Sequence, residues 1–138
     1  MKIREVFQAS YAVEAKLLNA EKNFPPLKRP LAGYIESDNS FYGYHEGVAL
    51  AAVIEIKEAD KLTHIQSLVV DPVFFRKGIA SKLLSFLFEN FDSEVFTVET
   101  GAANDPAIKL YERFDFVQVK KWMTEFGIEK VAFEKKSD

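Results

Sequence analysis

Residues 65–91 place the tightest constraint on how this chain can fold. A short apolar run from Ile65 to Val70 stops at Asp71-Pro72, and a basic turn containing Gly78 follows. Ala80, Leu83, Leu84, Leu87, Phe88 and Phe91 then recur at helical spacing. The pattern predicts a strand, a tight loop and a helix from about Gly78 to Phe91, with Ser81, Lys82, Ser85, Glu89 and Asp92 on its polar face. The first turn of such a helix leaves backbone N–H groups without intrahelical partners. Arg76 and Lys77 stand beside them, so the loop favours an anion such as phosphate. A plain strand-to-helix connection carrying two exposed basic residues would give the same local pattern.

The flanking sequence sets this unit in a mixed sheet. Met1 to Phe7 alternates loosely and is expected to form a first strand, and Ser10 is a candidate N-cap for a helix through Ala12, Ala15, Leu17 and Leu18. Phe24-Pro25-Pro26 ends that helix, and Leu27 to Ser37 reads as a loop with a short helix. Ser40–Tyr44 and Val48–Ile56 read as a hairpin turning at His45-Glu46-Gly47, with Leu62–Val70 as the third strand of an antiparallel meander. Val95–Thr100 is a further strand. A strand, helix and strand of these lengths implies a right-handed crossover between parallel strands. Pro106 suits the first turn of a helix through Ala107, Leu110, Tyr111 and Phe114. Strands from Phe116 to about Met123 and from Ile128 to Phe133 close the chain as a hairpin. The expected fold is thus a single α/β (α+β mixed) domain over residues 1–138, with about seven strands and about four helices. Ligands of α/β sheets gather at the carboxyl ends of strands, here the loops after Val70 and Thr100.

Composition removes several functional classes. The net charge of −3 argues against nucleic acid as a partner. No apolar run is long enough to span a membrane, and the first residues lack a signal-peptide pattern. Cysteine is absent, which excludes an acyl-cysteine intermediate and a thiolate metal site and is compatible with a cytoplasmic setting. With His45 and His64 as the only histidines, a histidine-rich metal site is not expected.

Two segments resemble the signatures of the GNAT N-acetyltransferases. Phe75-Arg76-Lys77-Gly78-Ile79-Ala80, after Val70-Asp71-Pro72, resembles the acetyl-CoA loop of that family. Asn104-Asp105-Pro106-Ala107-Ile108-Lys109-Leu110-Tyr111-Glu112-Arg113-Phe114-Asp115-Phe116 resembles its second signature, an Asn opening a helix that carries a Tyr near its end. Phe75 stands where the family usually has Gln or Arg, and Asp115 where Gly is usual. The resemblance implies acetyl-CoA as co-substrate, no metal, and an amine of a small molecule, peptide or protein as acceptor. Direct transfer in a ternary complex is implied, in a monomer or homodimer.

It also implies roles for residues. Leu68, Val69 and Val70 would lie along the pantetheine, with Leu68 and Val70 on the strand that supplies the oxyanion amide. Phe75, Arg76, Lys77, Gly78, Ile79, Ala80 and Ser81 would hold the pyrophosphate, largely through backbone N–H groups. Asn104 and Ala107 would meet the coenzyme arm. Tyr111 would be the general acid for the departing thiolate; otherwise it is a helix tyrosine packed on the sheet. The general base is open between His64, Glu55 and Glu99, directly or through water. Acceptor selection is expected from Trp122 and from the segment holding Phe24, Tyr34, Phe41, Tyr42 and Tyr44, which equally suit a core. A non-catalytic acyl-CoA-binding domain of the same fold, or a phosphate-binding module unrelated to coenzyme A, is the alternative.

Overall fold

The computed structural model describes residues 2–18, 26 and 31–137. In chain order the elements are α1 (Lys2–Leu17), α2 (Leu31–Ile35), β1 (Ser40–Glu46), β2 (Ala49–Ala59), β3 (Leu62–Val70), α3 (Ile79–Asn90), β4 (Val95–Gly101), α4 (Asp105–Arg113), β5 (Val117–Met123) and β6 (Glu129–Lys136). The six strands form one sheet in the order β1-β2-β3-β4-β6-β5. β3 and β4 are parallel, joined by the crossover through α3, and every other neighbouring pair is antiparallel.

Two expectations are corrected. Of the first strand expected over Met1–Phe7, the described residues from Lys2 onward are instead part of the sixteen-residue α1, so the sheet has six strands among the described residues where about seven were expected. Ser10 accordingly lies inside a helix and caps nothing. The alternation of Ile3, Glu5 and Phe7 is incidental to a longer helical stripe, Phe7, Tyr11, Glu14 and Leu18, that faces the sheet. The first hairpin also turns later than expected. His45 and Glu46 remain in β1, and Gly47-Val48 form the turn. The shift follows from a bulge: Tyr44 faces Ala52 and His45 faces Leu50, which leaves Ala51 as an extra residue and carries pairing further along the hairpin.

The helices cover both faces of the sheet. On one face α3 and α4 bury Ile79, Leu83, Leu84, Leu87, Leu110 and Tyr111 against Ile54, Ile56, Ile65, Phe96, Val98 and Phe133. On the other, α1 buries Val6, Phe7, Tyr11 and Ala15 against Val53, Val69 and Tyr34. Phe7 is fully buried and meets Tyr11 and Tyr34 edge-on, with ring centroids at 5.6 and 5.0 Å. These contacts anchor α1 more than its own propensity does, since a helix of this length is marginal alone.

The end of α4 matters for the site. Asp115 takes a left-handed conformation (φ 68°), Asp115 N donates to Glu112 O, and Phe116 N donates to Tyr111 O at 3.1 Å. This is a helix stop of the kind that usually carries Gly, and it brings the Phe116 ring to 5.4 Å from that of Tyr111. Asp115→Gly should therefore stabilise the protein by roughly 1 kcal/mol, read as a higher urea midpoint at unchanged m-value.

Candidate functional site

The site begins where two strands part. β3 and β4 pair from Leu62↔Val95 to Ile65↔Val98 and no further. At that point Glu55 faces Ser67 while Ile56 faces Ile65, so Gln66 is an extra residue that bends β3 away. Asp71 N donates to Ala51 O at 2.8 Å. By the alternation along a strand, the main-chain groups of Val69 and Asp71 therefore face β2, and those of Leu68 and Val70 face the open side. The divergence leaves a cleft of about 700 Å³. Tyr11, Glu14 and Ser67 reach it from the α1 face, Asn104 and Tyr111 from α4, and Trp122, Phe126 and Lys130 from the final hairpin. The cleft thus passes through the sheet from one face to the other.

Beyond the carboxyl end of β3 lies the basic loop. Asp71 Oδ1 accepts from Val73 N at 3.1 Å and opens a short 3-10 turn, Pro72–Phe74. Phe75 is extended and Arg76 has φ 66°. Gly78, at φ 70° and ψ 20°, precedes α3 with no side chain capping the helix. Gly suits this position because a left-handed conformation strains any residue with a Cβ. Ile79 is buried, so only its main chain faces the loop, while Arg76 and Lys77 are exposed and Lys77 Nζ lies 5.5 Å from the centroid of the Phe74 ring. Phe75 is 41% exposed and adds no polar group. The first turn of α3 therefore keeps backbone N–H groups without a side-chain cap, an arrangement able to accept an anion.

Asn104 opens α4 as its N-cap: Oδ1 accepts from Ala107 N at 3.4 Å, and Nδ2 donates to Thr100 Oγ1 at 3.3 Å. Tyr111, seven residues on, is 4% exposed and lines the cleft. Its hydroxyl makes no hydrogen bond among the described residues. Burial pushes its pKa well above the ordinary tyrosine value, and the charge of Glu14 adds to the effect. Tyr111 thus keeps its proton at any physiological pH.

The three base candidates occupy different places. Glu99 lines the cleft and its Oε1 is 3.2 Å from Lys130 Nζ. His64 lies where β3 and β4 are still paired, outside the cleft lining, with Nδ1 2.7 Å from Thr97 Oγ1. Burial lowers its pKa, opposed in part by Glu99. Glu55 is fully buried on β2, where Oε2 accepts from Asn39 Nδ2 at 2.9 Å, and it also lies outside the lining. Leu68 lines the cleft, Val69 packs under α1, and Val70, Ala80 and Ala107 pack against the core on the α3 face. Of the aromatic residues expected to select the acceptor, Trp122 lines the cleft. Tyr34 and Phe41 belong to the cluster under α1, Tyr42 and Tyr44 pack against the other, and Phe24 lies outside the described residues.

One cleft residue escaped the sequence reading. Glu14, on α1, lies close to the Asn104 side chain, the Gly101 backbone and the Thr100 side chain, with Lys130 nearby. Burial raises its pKa, and those neighbours offset part of the rise. The close approach of α1 to the end of β4 depends on Gly101, where a Cβ would lie 2.5 Å from Leu18 Cδ2. The available signal was a carboxylate on the buried stripe of an amphipathic helix, where a charge needs a partner or a function.

The parallel pair β3–β4 thus splays over a cleft, with a basic loop beyond the carboxyl end of β3 and the buried Tyr111 of α4 in the lining. A family model described as an acetyltransferase (GNAT) domain matches residues 12–137, and the chain belongs to that family. A Bacillus subtilis protein, UPF0157 protein YqkA, is 32% identical over 108 residues, covering 78% of this chain and 31% of its own length. An N-alpha-acetyltransferase of Saccharolobus solfataricus is 33% identical over 90 residues, covering 60% of this chain and 54% of its own. The chain thus spans about a third to a half of these curated relatives. The PaiA N-acetyltransferase of Thermoplasma acidophilum, solved in complex with coenzyme A, shares the fold with a TM-score of 0.68 at 17% identity, covering 99% of this chain and 91% of that one. No helix among the described residues is long and apolar enough to cross a membrane, and no group of three or more acidic or histidine side chains is placed to hold a metal ion.

Proposed function

We propose that this domain transfers the acetyl group of acetyl-CoA directly to a primary amine of a small molecule, peptide or protein. The observation that carries the reading is the end of β3–β4 pairing at Ile65 and Val98, which turns the main chain of Leu68 and Val70 toward open space. An unpaired strand edge suits the amide-bearing pantetheine arm, as β-augmentation does a peptide. The uncapped N-terminus of α3 suits the pyrophosphate, with Arg76 and Lys77 adding charge at the surface.

Acetyl-CoA supplies an acetyl group activated as a thioester. Leu68 and Val70 offer N–H groups where negative charge builds on the carbonyl oxygen during attack. Tyr111, uncharged and facing the cleft, gives its proton to the departing sulfur. The donor lies on the α3–α4 face and the acceptor enters past α1 and the final hairpin, so the two meet in the gap between the strands.

Thiol release measured across a panel of amines with acetyl-CoA tests this reading, with turnover on at least one amine as the expected result. Acetyl-CoA binding without turnover on any amine would leave a binding domain instead. Gly78→Val should weaken acetyl-CoA about tenfold, because a residue with a Cβ at φ 70° costs roughly 1–2 kcal/mol and displaces the N–H groups of the loop. Competition binding checks it, and wild-type affinity would remove the loop from the site.

A further inference from the structure

We infer that Glu14 is the general base of the transfer and that the acceptor enters as a protonated amine; the inference rests on the acetyltransferase reading above. Glu14 reaches the cleft from the α1 face, opposite the α4 face from which Tyr111 reaches it. Attack needs a base near the nitrogen and departure an acid near the sulfur, and the cleft holds a carboxylate and a tyrosine for these two tasks.

Asn104, Thr100 and the Gly101 backbone, at the end of β4 and the start of α4, lie close to the Glu14 carboxylate. The charged and titratable neighbours are Lys130 from β6, Tyr111 from α4 and Tyr11 from α1 itself. Lys130 is engaged by Glu99 of β4 at 3.2 Å, which tempers its hold on Glu14. Burial is the largest influence on Glu14 and raises its pKa.

The acceptor class follows from the lining. Among the described residues, Glu14, Glu99 and Glu125 line the cleft against one lysine, Lys130, together with Trp122. This surplus of carboxylate favours an ammonium over a neutral or anionic acceptor. In the reaction the nitrogen loses two protons. Glu14 takes the first and passes it to solvent, freeing the lone pair that forms the C–N bond as the C–S bond breaks. The second replaces the proton that Tyr111 gives to the sulfur. One amide, one thiol and one released proton balance the step.

Glu14→Gln keeps the shape and removes the basicity. On an amine that the wild type acetylates, kcat should fall at least tenfold at neutral pH, and the acidic limb of the pH–rate profile should disappear. Acetyl-CoA affinity should stay within about twofold. Glu14→Asp should recover part of the rate and restore the acidic limb. An unchanged profile in Glu14→Gln would overturn the proposal, as would a raised KM for the amine with kcat and the limb preserved, which marks a docking group. A wild type that turns over no amine fails earlier, at the acetyltransferase reading itself.

Discussion

Tyr111→Phe is expected to lower kcat by about 10²–10³-fold while leaving acetyl-CoA affinity nearly intact, because general acid catalysis contributes on the order of 10²–10⁴. The hydroxyl is the only atom removed, and it makes no hydrogen bond among the described residues, so packing should not change. The ring stays held by Phe116 at 5.4 Å and Phe133 at 6.2 Å. A raised tyrosine pKa also fixes the sign of the pH effect: the group stays protonated well into the alkaline range, so it should impose no loss of rate at moderately high pH. Pre-steady-state thiol release separates this from slow product departure. Unchanged single-turnover rates would remove Tyr111 from the chemistry.

Phe7→Ala should cost about 3–5 kcal/mol, the usual range for truncating a buried Phe. Phe7 is fully buried, and of its two edge-on aromatic contacts one braces Tyr11 within α1 and the other joins α1 to Tyr34. A domain with roughly 5–15 kcal/mol of stability would lose a large share of it. Activity should fall as well, because α1 carries Tyr11 and Glu14 into the cleft. Urea unfolding followed by circular dichroism measures the loss. A cost below about 1 kcal/mol would mean that α1 does not depend on this packing for its seat on the sheet.

The middle of the chain was legible because its boundaries carry strong local signals. Asp71-Pro72 ends β3, Gly78 takes the left-handed turn before α3, and Asn104-Asp105-Pro106 opens α4 with a capping side chain and a proline in its first turn. Asp115 takes the left-handed conformation that its position at a helix end requires. The helix through Ala12, Ala15 and Leu17 was legible, but its start was not. Ile3, Glu5 and Phe7 alternate over too few residues to distinguish a strand from the first turns of a helix, and the buried stripe is interrupted by a carboxylate at Glu14.

That same interruption hid a cleft residue, since a charge on a helix normally marks its solvent face. The position of His64 shows a different limit. Its place on β3 was readable, but the point where β3 leaves β4 depends on the bulge at Gln66 and on pairing with a strand thirty residues away. A hydrophobic pattern does not encode that point. His64 consequently falls on the closed part of the sheet, and Leu68 on the open part.

The central claim is that the open edge of β3 and the first turn of α3 together form an acetyl-CoA site. A calorimetric titration of the wild-type protein with acetyl-CoA tests it most directly. Saturable one-to-one binding that Gly78→Val weakens about tenfold is the expected result. No binding up to millimolar acetyl-CoA, or binding untouched by Gly78→Val, would contradict it.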